Sequence, residues 1–156
     1  MGDTSDTVEL DELDRNILNV LLEDGRRSFR QVAEAVDSTP ATVINRVDRL
    51  QEEGVITGYS ADLDYRRLGY DGLAAVEVVV KGNSLEGVRS EIEDHDNVVT
   101  AYTMTGDTDI LLLVAFRDRQ ELTGFVQEEL VGSDHVEKTI THMVLDVIKE
   151  GEDPGL

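Results

Sequence analysis

The sequence predicts an α+β protein with a helical N-terminal part and a C-terminal part in which strands and helices alternate. Two observations support this prediction. Between residues 10 and 53, apolar residues recur every three to four positions, which is typical of amphipathic helices. From residue 55 onward, runs rich in β-branched and aliphatic residues take over, and such runs favour strands.

The first helix is predicted within "LDELDRNILNVLLEDG", residues 10 to 25. Its apolar positions form one stripe along the helix, made by Leu10, Leu13, Ile17 and Leu21. Gly25 is suited to end the helix, because glycine adopts the left-handed C-terminal conformation without a steric penalty.

Two further helices follow at short intervals. Ser28 is a predicted N-cap, and the helix after it places Val32, Ala33 and Val36 inward. The third helix has Thr39 as its cap, Pro40 at its first position and Gly54 just past its end. Two short helices joined by a turn of three or four residues indicate a helix-turn-helix, although the same spacing also occurs in other helical bundles.

The C-terminal part is predicted to follow the order β-α-β-β-α-β, which is that of a ferredoxin-like unit. A strand leaving the third helix is expected over residues 55–64, and the four sheet strands over residues 73–80, 98–105, 109–116 and 136–148. One helix carries Leu85, Val88 and Ile92; the other carries Leu122, Phe125, Val126 and Leu130. "GDT" suits the turn of a short hairpin.

The domain boundary is expected in "DYRRLGYDG". The prediction is a helix-turn-helix domain over residues 1–63 including the linking strand, a linker over 64–72, a ferredoxin-like domain over 73–150 and a tail over 151–156.

Composition excludes several classes of protein. The chain has 156 residues and no cysteine, so disulfides, thiolate metal sites and cysteine nucleophiles are absent. It has no apolar run of about 18 residues that could span a bilayer. Its acidic N-terminus lacks the apolar segment of a signal peptide. A cytoplasmic protein with no membrane partner is expected.

The formal net charge of −20 is spread over every segment, and only three of the fourteen cationic residues are lysines. A uniformly acidic, lysine-poor surface is typical of proteins from salt-in halophiles. The Debye length is about 3 Å in molar salt, so self-repulsion is screened there. In dilute buffer the same charge is expected to destabilise the fold.

The third helix has two contrasting arcs. At about 100° per residue, the apolar residues Val43, Ile44, Val47 and Leu50 share one arc, and the polar residues Thr42, Asn45, Arg46 and Arg49 share the opposite arc. Arginine can pair with guanine and asparagine with adenine in the major groove. Hydroxyls and free amides at the helix N-terminus can contact phosphate.

The charge distribution supports DNA binding. From Arg26 to Leu50 five arginines face three carboxylates, so this segment is +2 and the rest of the chain is −22. A solvated helix face with incidental arginines is the alternative. The coincidence of this cationic segment with the helix-turn-helix pattern favours DNA.

These residues carry a family resemblance. "LDELDRNILNVLLEDGR", "STPATVINRVDRL" and "EEGVITGY" together resemble the N-terminal region of Lrp/AsnC (feast/famine) transcription regulators, and "GDTDILL" is similar to the central hairpin of the family's C-terminal module. The resemblance implies a winged helix-turn-helix joined to a ferredoxin-like domain that binds small effectors, usually amino acids. It also implies homodimers, often assembled into tetramers or octamers.

Carried over by position, the resemblance assigns two groups of residues. The implied DNA contacts are Ser38, Thr39, Thr42, Asn45, Arg46 and Arg49. The implied effector residues are Tyr102, Met104, Thr105, Gly106, Asp107, Thr108 and Asp109, and Thr139 and Thr141 are added as candidates on the last strand. Gly106 would let a ligand approach the backbone, and Asp107 or Asp109 could hold an amino group. The alternative is that "GDTD" is only a tight turn, which glycine and aspartate favour.

Other functional classes fit less well. The histidines His95, His135 and His142 are scattered without metal-ligand spacing, and the chain has no nucleophile elbow, phosphate loop or dinucleotide fingerprint. No catalytic residue, metal site or cofactor is therefore predicted. A metabolite-sensing interaction module that does not bind DNA remains an alternative, which the ferredoxin-like half would serve but the arginines would not.

Overall fold

The computed structural model describes residues 7–149, which fall into two units, residues 7–62 and 63–149. The predicted tail over residues 151–156 lies outside the described residues. No helix within residues 7–149 combines the length and apolar character that crossing a lipid bilayer would require.

Three helices build the N-terminal unit: α1 (Glu12–Glu23), α2 (Phe29–Ala35) and α3 (Pro40–Glu52). Each helix begins where a side chain can accept a hydrogen bond from a free backbone amide: Asp11 caps α1, Ser28 caps α2 and Thr39 caps α3. Their apolar stripes meet in one core of Ile17, Leu21, Val32, Ala33, Val43 and Val47. The predicted helix-turn-helix is confirmed.

The linking strand predicted over residues 55–64 is wrong. The Val55 and Ile56 amides donate to the Leu50 carbonyl, and residues 57–69 are all exposed with no strand among them. A strand needs a hydrogen-bonded neighbour, and alternating apolar residues alone do not provide one. The described part of this unit is therefore a helix-turn-helix without a wing strand.

The C-terminal unit has the predicted βαββαβ order. Its elements are β1 (Gly72–Val80), α4 (Leu85–Ile92), β2 (Val98–Thr103), β3 (Ile110–Phe116), α5 (Arg119–Gly124), a π-helical segment (Phe125–Val131) and β4 (Val136–Met143). The strands form an antiparallel sheet in the order β2-β3-β1-β4, so the ferredoxin-like fold is confirmed. β4 ends at Met143 and not at residue 148 as predicted.

The two faces of the sheet differ. One face is buried under α4, α5 and the π-helical segment, with Val76, Val78, Leu112 and Val114 at its centre. The other face carries the alternate residues of each strand. We call this second surface the open face, and among its residues are Ala75, Glu77, Val79, Leu111, Leu113, Tyr102 and Ile140. Strand alternation therefore leaves a largely apolar surface without a helix layer.

Candidate nucleic-acid interface and effector site

The N-terminus of α3 is formed as the sequence predicts. The Thr39 hydroxyl accepts a hydrogen bond from the Thr42 amide at 3.2 Å and lies 2.9 Å from the Thr42 hydroxyl. Ser38, just before the cap, is half-buried, and its amide donates to the Ala33 carbonyl. Pro40 has no N–H to satisfy, and the other free backbone amides of the first turn point outward from the helix end. This end of α3 can receive a phosphate oxygen.

The polar arc predicted on α3 splits into two groups. Thr42, Arg46 and Arg49 are half-buried, whereas Asn45 is exposed. Ile44, which the helical period places on the apolar arc, is 39% exposed and does not enter the core with the other residues of that arc. It lies at the edge of the apolar arc, and the core is filled by Val43, Val47 and Leu50 without it.

The two arginines of α3 bind carboxylates at the start of α1. The Arg46 Nη1 donates to Asp11 and, at 3.0 Å, to Asp14; the Arg49 Nη2 donates to the other Asp14 oxygen at 2.5 Å. Asp14 is fully buried and is the one buried charged residue among those described. We call Asp11, Asp14, Arg46 and Arg49 the α1–α3 ion network.

This network changes proton affinities. The hydrogen bond from the Asp14 amide, followed by that from the Arg46 guanidinium, lowers the pKa of Asp11. The hydrogen bonds to Asp11 and Asp14 raise the pKa of Arg46. Because the pKa of Asp11 is depressed in the folded state, its contribution to stability is present at neutral pH and is lost as the pH falls through that lowered value.

Energetics oppose the use of these arginines for reading bases. Removing one partner from a buried ion pair costs about 3–5 kcal/mol, because a buried charge is left uncompensated. A bidentate contact between arginine and guanine returns only about 1–3 kcal/mol of discrimination. Turning either arginine to a base would leave the buried Asp14 with one guanidinium in place of two, and a base contact would have to offset that cost.

The cationic segment predicted from the sequence is neutralised in the fold. Each of its five arginines lies within 2.5–3.6 Å of a carboxylate: Arg26 of Asp24, Arg27 of Glu23, Arg30 of Glu34, and Arg46 and Arg49 of Asp14. Asp14, Glu23 and Asp24 precede residue 26, so the charge of +2 counted from Arg26 to Leu50 does not include them. Residues 7–62 contain twelve carboxylates and six arginines, a net charge of −6.

The predicted effector loop is the hairpin between β2 and β3. The Met104 amide donates to the Asp109 carbonyl at 2.8 Å and closes the loop. Gly106 has a φ of +115°, a conformation that residues with a Cβ rarely adopt. Asp107 is exposed at the tip, whereas Asp109 accepts a hydrogen bond from the Val80 amide through its carboxylate at 2.8 Å. The two aspartates thus have different surroundings.

The structure separates the last-strand candidates from this loop. Thr139 and Thr141 pair with Val78 and Val76, so they share the helix-covered face of the sheet. Tyr102 pairs with Leu111 on the open face and is 54% exposed. β4 and β2 are the two opposite edges of the sheet. Within one chain, therefore, the two threonines do not meet the other predicted effector residues.

One polar residue near the loop was missed by the sequence analysis. Glu77 lies on the open face of β1, accepts a hydrogen bond from the Thr108 hydroxyl at 3.0 Å and lies 3.3 Å from the His142 Nε2. Its signal in the sequence was a single carboxylate inside the apolar strand "LAAVEVVV". Glu77 adds an acceptor for an amino group beside the hairpin. Within residues 7–149, no three histidine or acidic side chains converge as a metal site.

The difference between the two loop aspartates is testable. Asp109→Ala is expected to lower the free energy of unfolding of the C-terminal unit by about 1–3 kcal/mol, because it leaves the Val80 amide without an acceptor. Asp107→Ala removes the same charge from the exposed tip and is expected to change it by no more than about 0.5 kcal/mol. Denaturant unfolding in 2 M potassium chloride measures both variants. Equal stabilities would contradict the structural role of Asp109.

Comparison with known proteins identifies both units as parts of a transcription regulator. Residues 10–51 match the AsnC-type helix-turn-helix domain, and residues 73–154 match the Lrp/AsnC ligand binding domain. The chain belongs to the Lrp/AsnC family.

Similar proteins extend over nearly the whole chain. An HTH-type transcriptional regulator of Pyrococcus horikoshii is 37% identical over 143 residues, 92% of this chain and 96% of the relative. The structure of the Neisseria meningitidis regulator NMB0573 in complex with L-Met has a TM-score of 0.87 at 27% identity and covers 91% of this chain and 94% of that one. E. coli AsnC also has a TM-score of 0.87, at 26% identity, with 94% and 99% covered.

Proposed function

We propose that this chain is a sequence-specific DNA-binding transcription regulator whose activity or assembly responds to a small effector, an amino acid. The observation that carries the proposal is the geometry of α3. This helix is the second of the helix-turn-helix, Thr39 caps it, and Ile44, Asn45 and Asp48 on its outer side are exposed. In this motif the second helix enters the major groove with its N-terminal residues toward the bases. Ser38, Thr39 and Thr42 are the proposed phosphate contacts.

Assembly is proposed to occur through the open face of the sheet. Leu111 and Leu113 are half-buried there, and Ile140 and Tyr102 are exposed. Burial of such apolar surface against a second copy would be favourable. In a dimer, two copies of α3 would enter successive major grooves, with half-sites about one helical turn apart.

The effector is proposed to bind beside the β2–β3 hairpin. The exposed Asp107 and the half-exposed Glu77 could each hold an amino group, and Gly106 permits close approach to the backbone. The L-Met complex of the Neisseria meningitidis regulator supports an amino acid as the ligand class. Effector binding would shift the equilibrium between assemblies or between placements of the DNA-binding units, which is a coupling between two distinct sites.

Fluorescence anisotropy tests this function. The labelled duplex is the DNA upstream of the chain's own gene, in about 2 M potassium chloride, with and without pooled amino acids, and a shuffled duplex serves as the control. We expect tight binding to the upstream DNA that shifts when the pool is added. Tight binding without a shift would remove the amino-acid response. Equal affinity for both duplexes would exclude this promoter, and a genome-wide search without bound sites would favour a sensor that does not bind DNA.

A further inference from the structure

The outer arc of α3 is the part of that helix that is free to meet DNA. Ala41, Ile44, Asn45 and Asp48 are exposed, and the side chain of Asn45 has no hydrogen-bond partner within residues 7–149. Arg46 and Arg49 occupy the flank that faces the start of α1. The helix therefore offers one side to solvent and uses the other for internal contacts.

The arginines on the other flank are held against α1 by their own contacts, which engage one terminal nitrogen of each guanidinium. A bidentate contact with guanine needs two parallel N–H groups of one guanidinium. The Arg46 Nη1 already donates to two carboxylates, and the Arg49 Nη2 donates to the buried Asp14. Release of either arginine would weaken the compensation of a charge that has no access to water.

We propose that Asn45 reads the base sequence, with Ile44 beside it, and that Arg46 and Arg49 only hold α3 against α1. This inference rests on the proposed DNA binding and separates residues that the family resemblance groups together as DNA contacts. The Asn45 amide can pair with adenine N6 and N7, and an exposed aliphatic side chain such as Ile44 can contact the thymine methyl group. The chemistry of this arc therefore selects A·T pairs at the position that Asn45 reaches.

The test compares base preferences and not affinities alone. The preferred duplex of the wild-type protein is selected from random DNA in about 2 M potassium chloride, and each base pair of it is then replaced in turn. Anisotropy gives the affinity of the wild type, Asn45→Ala and Arg46→Lys for every duplex. Asn45→Ala is expected to lose about 5- to 150-fold of preference at one A·T pair and to keep the others. Arg46→Lys keeps a cation beside Asp14 and is expected to leave the preference at every position unchanged.

The outcomes separate this inference from the function on which it rests. A wild-type protein that selects no sequence overturns both. A wild-type preference that survives intact in Asn45→Ala overturns base reading by Asn45, and a preference that relaxes at a G·C pair in Arg46→Lys overturns the purely structural role of Arg46. The proposed DNA binding stands in both cases. Asn45→Ala changes an exposed residue, so it remains decisive even if Arg46→Lys does not fold, and far-ultraviolet circular dichroism checks each variant.

Discussion

Asp14→Asn is expected to lower the free energy of unfolding of the N-terminal unit by about 3 kcal/mol. Asparagine has the shape of aspartate, but it removes the buried charge and turns an amide donor toward guanidinium donors. One of Arg46 and Arg49 then faces this amide, and the other keeps the remaining oxygen as a neutral acceptor. The loss is expected at the lower end for a broken buried pair, because both guanidinium groups are about one third exposed and can be rehydrated.

Glu12→Gln is the matched control. Glu12 is exposed in the first turn of the same helix, and its change also removes one negative charge, at a cost of no more than about 1 kcal/mol from the helix dipole. In so acidic a chain, the loss of one negative charge by itself should relieve repulsion. Denaturant unfolding in 2 M potassium chloride, followed by circular dichroism, measures both. If Asp14→Asn is as stable as Glu12→Gln, the α1–α3 ion network does not stabilise the fold.

The affinity for DNA is expected to rise as potassium chloride increases from about 0.2 M to 2 M. DNA-binding proteins ordinarily behave in the opposite way, because counterions are released: a protein that makes about 6–10 phosphate contacts loses about 10³–10⁵ in affinity between 50 and 200 mM salt. Here the DNA-binding unit itself carries a net charge of −6 and the whole chain −20. Repulsion from the phosphates is screened only when the Debye length falls toward about 3 Å.

Anisotropy titrations at five salt concentrations test this expectation. Circular dichroism at each concentration separates weak binding from unfolding, since the charge also destabilises the compact state in dilute buffer. Affinity that decreases steadily from the lowest salt upward would contradict both the expected salt adaptation and the role assigned to the net charge.

Helix positions were predictable because the caps and the 3.6-residue period are local signals. Thr39, Pro40 and Gly54 marked both ends of α3 before any tertiary contact was known. The π-helical segment was not predictable in this way. The Gly132 amide donates to the Gln127 carbonyl, five residues back, and this wider winding helps to place both Phe125 and Leu130 in the core.

The candidate sites were predictable only in part, because their chemistry depends on distant residues. The cationic segment lies in the helix-turn-helix as the sequence predicted. The carboxylates that pair with Arg46 and Arg49 are those of Asp11 and Asp14, more than 30 residues earlier in the chain. A window that counts charge along the sequence does not show which of them are paired in space. Thr139 and Thr141 do not lie beside the β2–β3 hairpin, because the register of β4 against β1 places their side chains on the helix-covered face. This register does not follow from the local sequence.

The exposed stretch of residues 57–69, described above as lacking a strand, has a consequence for how such regulators diversify. Its side chains belong to neither hydrophobic core, and exposed segments of this kind tolerate insertion and exchange. A recombination joint placed there would leave the α1–α3 ion network and the four-stranded sheet each complete. One helix-turn-helix unit could in this way be inherited with a different C-terminal unit, so that under the proposed function the choice of promoter and the choice of effector could change separately.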